Sequence, residues 1–148
     1  MSTGLDSEHD PFNEPALRHP RAQELIHESL WSCTDELAPF GSDEGWEAYY
    51  EFRRWRAEHR DAPMVDCISW ILQDGEEAYP DDDFFTVDGT LIASILGQLV
   101  DEGRIDAEVK PYARRALERQ SRLAELFGSA ADRRRRLLQL VSAAIEQA

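Results

Sequence analysis

The chain reads as an all-α protein, a single compact domain of about six helices with at most a minor strand near residues 84–88. Three observations predict this. Apolar residues recur every three or four positions in successive windows, the spacing that lays one face of a helix against a core. Gly, Pro and short polar residues fall at the ends of those windows, where helices start and stop. Sustained alternation of apolar and polar residues, the mark of a half-buried strand, is almost missing.

Residues 1–18 mix acids and prolines without periodicity and read as a flexible acidic arm ahead of the all-α domain at 19–148. His19-Pro20 looks like a helix start, because proline is tolerated where its missing N–H would be unpaired anyway. Ala22, Leu25, Ile26 and Leu30 then carry a helix over roughly 20–31. Gly41 permits a turn after Pro39. Ser42 or Asp43 can cap a helix over about 43–59, with Asp43, Glu44 and Glu47 near its positive end. Its aromatics Trp46, Tyr49, Tyr50, Phe52 and Trp55 spread around nearly the whole circumference at ~100 degrees per residue. That spread predicts a central helix with Trp46 heavily buried.

Met64, Val65, Ile68, Ile71 and Leu72 give the next helix, expected to end at Gly75. Glu76 to Asp88 reads as an acidic connector with Phe84 and Phe85 tucked in as loop anchors. Leu91, Ile92, Ile95, Leu96, Leu99 and Val100 form the cleanest helical stripe, closed by Gly103. Asp106 is placed to cap a helix that carries Pro111 near its start and runs to Gly128. Ser129 and Asp132 resemble a capping box for a last helix, about 130–147, which buries Leu137, Leu138, Val141, Ala144 and Ile145. The run Arg133, Arg134, Arg135 and Arg136 falls on or across its solvent side.

The segments HPRAQELIHESLW and PFGSDEGWEAYYEFRRWR resemble the YfeS-type family of uncharacterised bacterial proteins. The likeness rests on His19, Pro20, Pro39, Phe40, Gly41, Ser42, Asp43, Glu44, Gly45, Phe52, Arg53, Trp55 and Arg56. The C-terminal SRLAELFGSAADRRRRLLQLVSAA is similar to the end of another bacterial domain of unknown function. Neither resemblance implies an activity or a catalytic residue; together they imply shared architecture around Pro39 to Arg56.

Composition bounds the function. With 148 residues, 42% hydrophobic content and four tryptophans, the chain is large enough to bury its own core. The polar start and the scarcity of long apolar runs predict a cytoplasmic protein with no membrane span. Cys33 and Cys67, far apart, read as free thiols. The net charge of −14 is uneven: residues 1–103 hold 24 acids and 6 arginines, whereas 104–148 hold 6 acids and 10 bases. No Lys or Arg occurs between Arg60 and Arg104, an interval with eleven acids that has no cation of its own to neutralise it. Such a surface repels nucleic acid and steers toward a basic protein or cations.

Constellations for chemistry are sparse. A calcium loop starting at Asp81 would need Gly at 86 and Glu at 92, where Thr86 and Ile92 stand. His9, His19, His27 and His59 lack metal-ligand spacing. Glu44 and Glu47 with Asp74 and Glu77 could hold Mg2+ in the manner of all-α nucleotide pyrophosphatases, although Gly75 interrupts the second pair. Arg53 and Arg56 could hold an anion. With no catalytic or metal set and no cofactor signature, the expected function is an acidic interaction module for a basic protein partner, plausible as an immunity or antitoxin-like inhibitor. Asp74, Glu76, Glu77, Asp81, Asp82, Asp83 and Asp88 are its expected contact residues. The alternatives are the Mg2+-dependent phosphohydrolase and a structural homo-oligomer joined through Arg133, Arg134, Arg135 and Arg136.

Overall fold

The computed structural model describes residues 9–78 and 84–148, and of residues 73–78 the backbone alone. All regular structure in it is helical, as the spacing of apolar residues predicts. The α-helices are α1 (Pro20–Leu25), α2 (Asp43–Glu58), α3 (Met64–Ala78), α4 (Phe84–Glu102), α5 (Lys110–Leu123) and α6 (Ala131–Gln147), with 3-10 turns ahead of α1 and between α1 and α2, α4 and α5, and α5 and α6.

α4 is the hub. Every residue from Leu91 to Val100 is buried, and a helix apolar on all sides must be surrounded. α2 and α5 cover it most extensively, α1 and α3 add to the cover, and α6 packs outside against α5. By length and composition α4 is also long and apolar enough to cross a membrane, which the predicted lack of any such run did not register; here other helices occupy its faces. The aromatic helix α2 is therefore a neighbour of the centre. Tyr49, Tyr50, Phe52 and Trp55 are buried, but Trp46 is 37% exposed, contrary to its predicted burial. Phe12 from the N-terminal arm takes the place against the core instead, 5.0 Å from Phe40 and 5.2 Å from Trp46 between ring centroids.

Of the predicted flexible arm, residues 9–18 are described: Pro11 and Phe12 are buried, and residues 13–17 are exposed. His9 Nε2 lies 2.8 Å from the Tyr49 hydroxyl, which donates to Asp101 Oδ1 at 2.6 Å. Arg18 stacks over Trp31, 3.8 Å from the ring centroid. Burial, with Asp101 alongside, pushes the Tyr49 phenol above its ordinary value.

Capping accounts for several boundaries. His19 accepts from the Arg21 N–H at 3.1 Å to start α1. The helix predicted over 20–31 stops at Leu25, because Ile26 is extended; His27 then repeats the same cap on Ser29 and starts a 3-10 turn. His19 also packs on Gly103, whose φ of 75 degrees and ring contact leave no room for a Cβ, so α1 is locked to the end of α4. The predicted box at Ser129 and Asp132 does not form: Ala130 precedes α6 without a side-chain cap, and Asp132 pairs with Arg135 instead.

The predicted connector Glu76 to Asp88 is shorter than expected, and its ends are helical. α3 continues through Gly75 to Ala78, since one glycine costs a helix only about 1 kcal/mol. α4 begins at Phe84, so Phe84 to Asp88 is neither loop nor strand. Asp81, Asp82 and Asp83 lie outside the described residues.

Asp106 caps a helix other than the one predicted. Its Oδ2 accepts from Met64 N–H at 3.0 Å, starting α3, while buried Gln98 donates to Oδ1 and accepts from its backbone N–H, both at 3.0 Å. Burial alone would raise the Asp106 pKa, but these hydrogen bonds and the charges of Arg104 and Arg56 hold it below the ordinary 3.8. A carboxylate depressed in the folded state stabilises above its unfolded pKa and loses that contribution as pH falls through the folded one. The urea midpoint of the wild type is therefore expected to drop more steeply between pH 5 and pH 3 than that of Asp106→Asn; parallel slopes would reject this role.

The acidic interval 61–103 is neutralised in part by arginines remote in sequence. Arg53 donates to Asp101 at 2.9 Å, Arg56 pairs with Glu102 at 2.8 Å, and Arg119 pairs with Asp88 at 2.7 Å. Arg53 and Arg56, open to an anion by sequence, are thus committed to carboxylates. Both cysteines are free, and burial pushes the Cys67 thiol up to about 12.

Candidate functional site

The segment Pro39 to Gly45 is shaped by two close backbone approaches. A Cβ on Gly41 would overlap the carbonyl of Asp35, and one on Gly45 would overlap the carbonyl of Pro39. Only glycine lets the 35–41 turn lie directly against the start of α2. Ser42 Oγ accepts from the Gly45 N–H at 3.1 Å and completes the cap, as its position ahead of the helix predicts.

This turn forms one wall of a cleft of about 550 Å³, a size that suits small ligands or anchor side chains. The floor is apolar: Phe85 and Ile92 of α4, Phe127 of the turn before α6, and Leu137, Leu138 and Val141 of α6. Leu126 lies at the edge and is 72% exposed. Glu36, Asp43 and Glu44 stand on the wall side, and none of them forms an ion pair with another described residue. Gly89 keeps α4 low beneath Glu44, since a Cβ there would come within 3.2 Å of the Glu44 Cγ.

A buried polar network backs the floor. Asp88, fully buried, receives both Arg119 nitrogens at 2.7 and 2.9 Å and the Gln120 amide at 2.8 Å. Gln120 in turn accepts from Arg134 at 3.2 Å, and Arg134 donates to the Leu37 carbonyl at 3.0 Å. The Arg134 guanidinium lies 5.2 Å from the Phe127 centroid, and its Nε is buried without a hydrogen-bond partner. Burial lowers the Arg134 pKa, against the opposing pull of Glu44 and Asp88. Arg134 therefore belongs to the wall between core and cleft and already has negative charge on both sides.

The predicted contact residues separate. Asp88 leaves the expected acidic surface because it sits on the apolar stripe of α4, four residues before Ile92 and seven before Ile95. Asp74, Glu76 and Glu77 fall in the last turns of α3, where only the backbone is described. Glu44 reaches the cleft, and Glu47 is exposed on α2 outside its lining. No group of three His, Cys, Asp or Glu side chains among the described residues could hold a metal ion.

Three of the four arginines in the run have partners within the chain, and Arg136 is exposed. Arg133 pairs with Asp35 at 2.7 Å, Arg134 joins the buried network, and Arg135 meets Glu125 at 3.5 Å. Gln120 carries one sequence signal, its place four residues after Ala116 on the buried stripe of α5. Glu36 carries none, because its place at the cleft depends on the fold of the 35–41 turn. No family model, curated protein or solved structure matches the chain.

Proposed function

We propose that this chain is an interaction module that binds a basic protein partner, with inhibition of that partner, in the manner of an immunity or antitoxin protein, as the setting it suits best. The supporting observation is the cleft: three carboxylates, Glu36, Asp43 and Glu44, without ion pairs among the described residues, beside a largely buried apolar floor with Leu126 exposed at its edge. The nearest cations, Arg133 and Arg134, are spent on Asp35, Gln120 and the Leu37 carbonyl. A formal charge of −14 adds long-range attraction for a basic surface and would speed encounter more than it would tighten the complex.

The test uses a Lys/Ser peptide as the basic probe and reads its dissociation constant by fluorescence anisotropy at low salt. Neutralising the rim with Glu36→Gln, Asp43→Asn and Glu44→Gln is expected to weaken binding at least tenfold. Neutralising Glu58, Asp61 and Asp66, at and beyond the far end of α2, removes the same charge and is expected to cost less than threefold. Equal losses would mean that bulk charge alone attracts the probe, and the cleft would lose its assigned role.

A further inference from the structure

The charge and shape of the cleft specify more than a preference for cations. We infer that it seats an apolar anchor side chain of the basic partner, with a Lys or Arg of the same segment placed beside that anchor against Glu36, Asp43 and Glu44. This rests on the basic-partner reading above and adds the chemistry of the segment that enters.

The three carboxylates, which form no ion pair with another described residue, come from one stretch, residues 36–44, which also brings Leu37, Ala38 and Pro39 to the cleft; the apolar floor comes from α4, α6 and Phe127. A ligand that satisfies both must be amphipathic, positive toward the turn and apolar toward Ile92, Leu137, Leu138 and Val141. Leu126, 72% exposed at the edge, adds apolar surface that a seated segment would cover.

Charge decides against the opposite ligand. An anionic amphiphile would have to meet the three rim carboxylates, and among the described residues Arg134 is the one cation in the cleft lining. That guanidinium already hydrogen-bonds Gln120 and Leu37 and feels the charges of Glu44 and Asp88. Size decides the scale of the segment. About 550 Å³ takes an anchor and its neighbours, whereas a whole helix is ~10–12 Å across and would rest on the mouth rather than enter. The mode is that of hot-spot recognition, one apolar group desolvated in a pocket with charged residues at its edge.

Four peptides of equal length, Lys/Leu, Lys/Ser, Gln/Leu and Glu/Leu, are titrated against the intact protein. Lys/Leu is expected to bind at least tenfold tighter than Lys/Ser, and both tighter than Gln/Leu and Glu/Leu. With a photo-activatable leucine in the Lys/Leu peptide, crosslinks are expected on Phe85, Ile92, Phe127, Leu137, Leu138 or Val141. Equal affinity of Lys/Leu and Lys/Ser, or crosslinks elsewhere, would overturn the anchor inference and leave the basic-partner reading standing. Binding of Lys/Ser no tighter than Gln/Leu would overturn both. If a single acetylated Lys-Leu amide bound as tightly as the full peptide, the occupant would be a small amphipathic cation, and the protein-segment assignment would fall.

Discussion

Replacing Gly45 by alanine is expected to destabilise the protein by about 3 kcal/mol, near the upper end for forcing extra atoms into a packed site. The added methyl would overlap the Pro39 carbonyl. Both groups are backbone, so neither can swing away as a side chain would. Relief requires the start of α2 to move off the 35–41 turn, which breaks the Ser42 cap on the Gly45 N–H and reshapes the cleft wall. Helix propensity works the other way, since alanine is favoured over glycine by about 1 kcal/mol, and the steric term outweighs it. Urea unfolding measures the loss. Glu47→Ala, exposed on the same helix, should stay within about 0.5 kcal/mol of wild type and controls for position. A Gly45→Ala protein as stable as wild type would mean that the turn is not held as tightly as the geometry requires.

Arg119→Met is expected to cost about 3 kcal/mol, the lower end for breaking a buried ion pair, because Arg119 keeps a third of its surface in water. The carboxylate it leaves behind is fully buried, with Gln120 as its remaining donor. An unpaired buried charge is the costly product, so removing the charge as well should restore most of the loss. The double variant Asp88→Leu with Arg119→Met is expected to lie closer to wild type than Arg119→Met alone, by urea unfolding at pH 7. Losses that simply add would show that the two groups act independently, against the bidentate contact at 2.7 and 2.9 Å.

Legibility in the sequence followed the range of the interaction. Helices α2, α3, α5 and α6 could be read from their own residues, because a stripe at Leu137, Leu138, Val141, Ala144 and Ile145 needs only its own helix to be recognised. The same local logic identified His19-Pro20 and Ser42 as starts. Failures came where a distant residue decided. Asp106 caps α3 from across the fold, 42 residues away, and Phe12 claims the core position expected of Trp46. Asp88 looked like one more member of an acidic run because Arg119 is 31 positions on. The candidate site was half visible: PFGSDEG stood out as unusual, but its two glycines are explained by carbonyls of Asp35 and Pro39 that only the folded turn brings beneath them. Ile92, Leu137, Leu138 and Val141 are buried as their spacing predicts, but that spacing does not say that a cleft opens above them.

The docked arm has a consequence for how the chain reaches this state. His9 bonds Tyr49 and lies beside Asp101, and Arg21 donates to the Gln147 carbonyl from 126 positions away. These closures join the two ends of the chain to its middle and to each other, while the helices themselves form from near neighbours. Folding rate falls as contacting residues lie farther apart in sequence, so the helices should appear early and the seating of Phe12 among Phe40, Trp46 and Tyr49 late. During synthesis the arm emerges first, yet its seat is incomplete until Asp101 has followed. For that interval the aromatic surface of α2 is uncovered, and an intermediate with such a surface exposed is prone to aggregate.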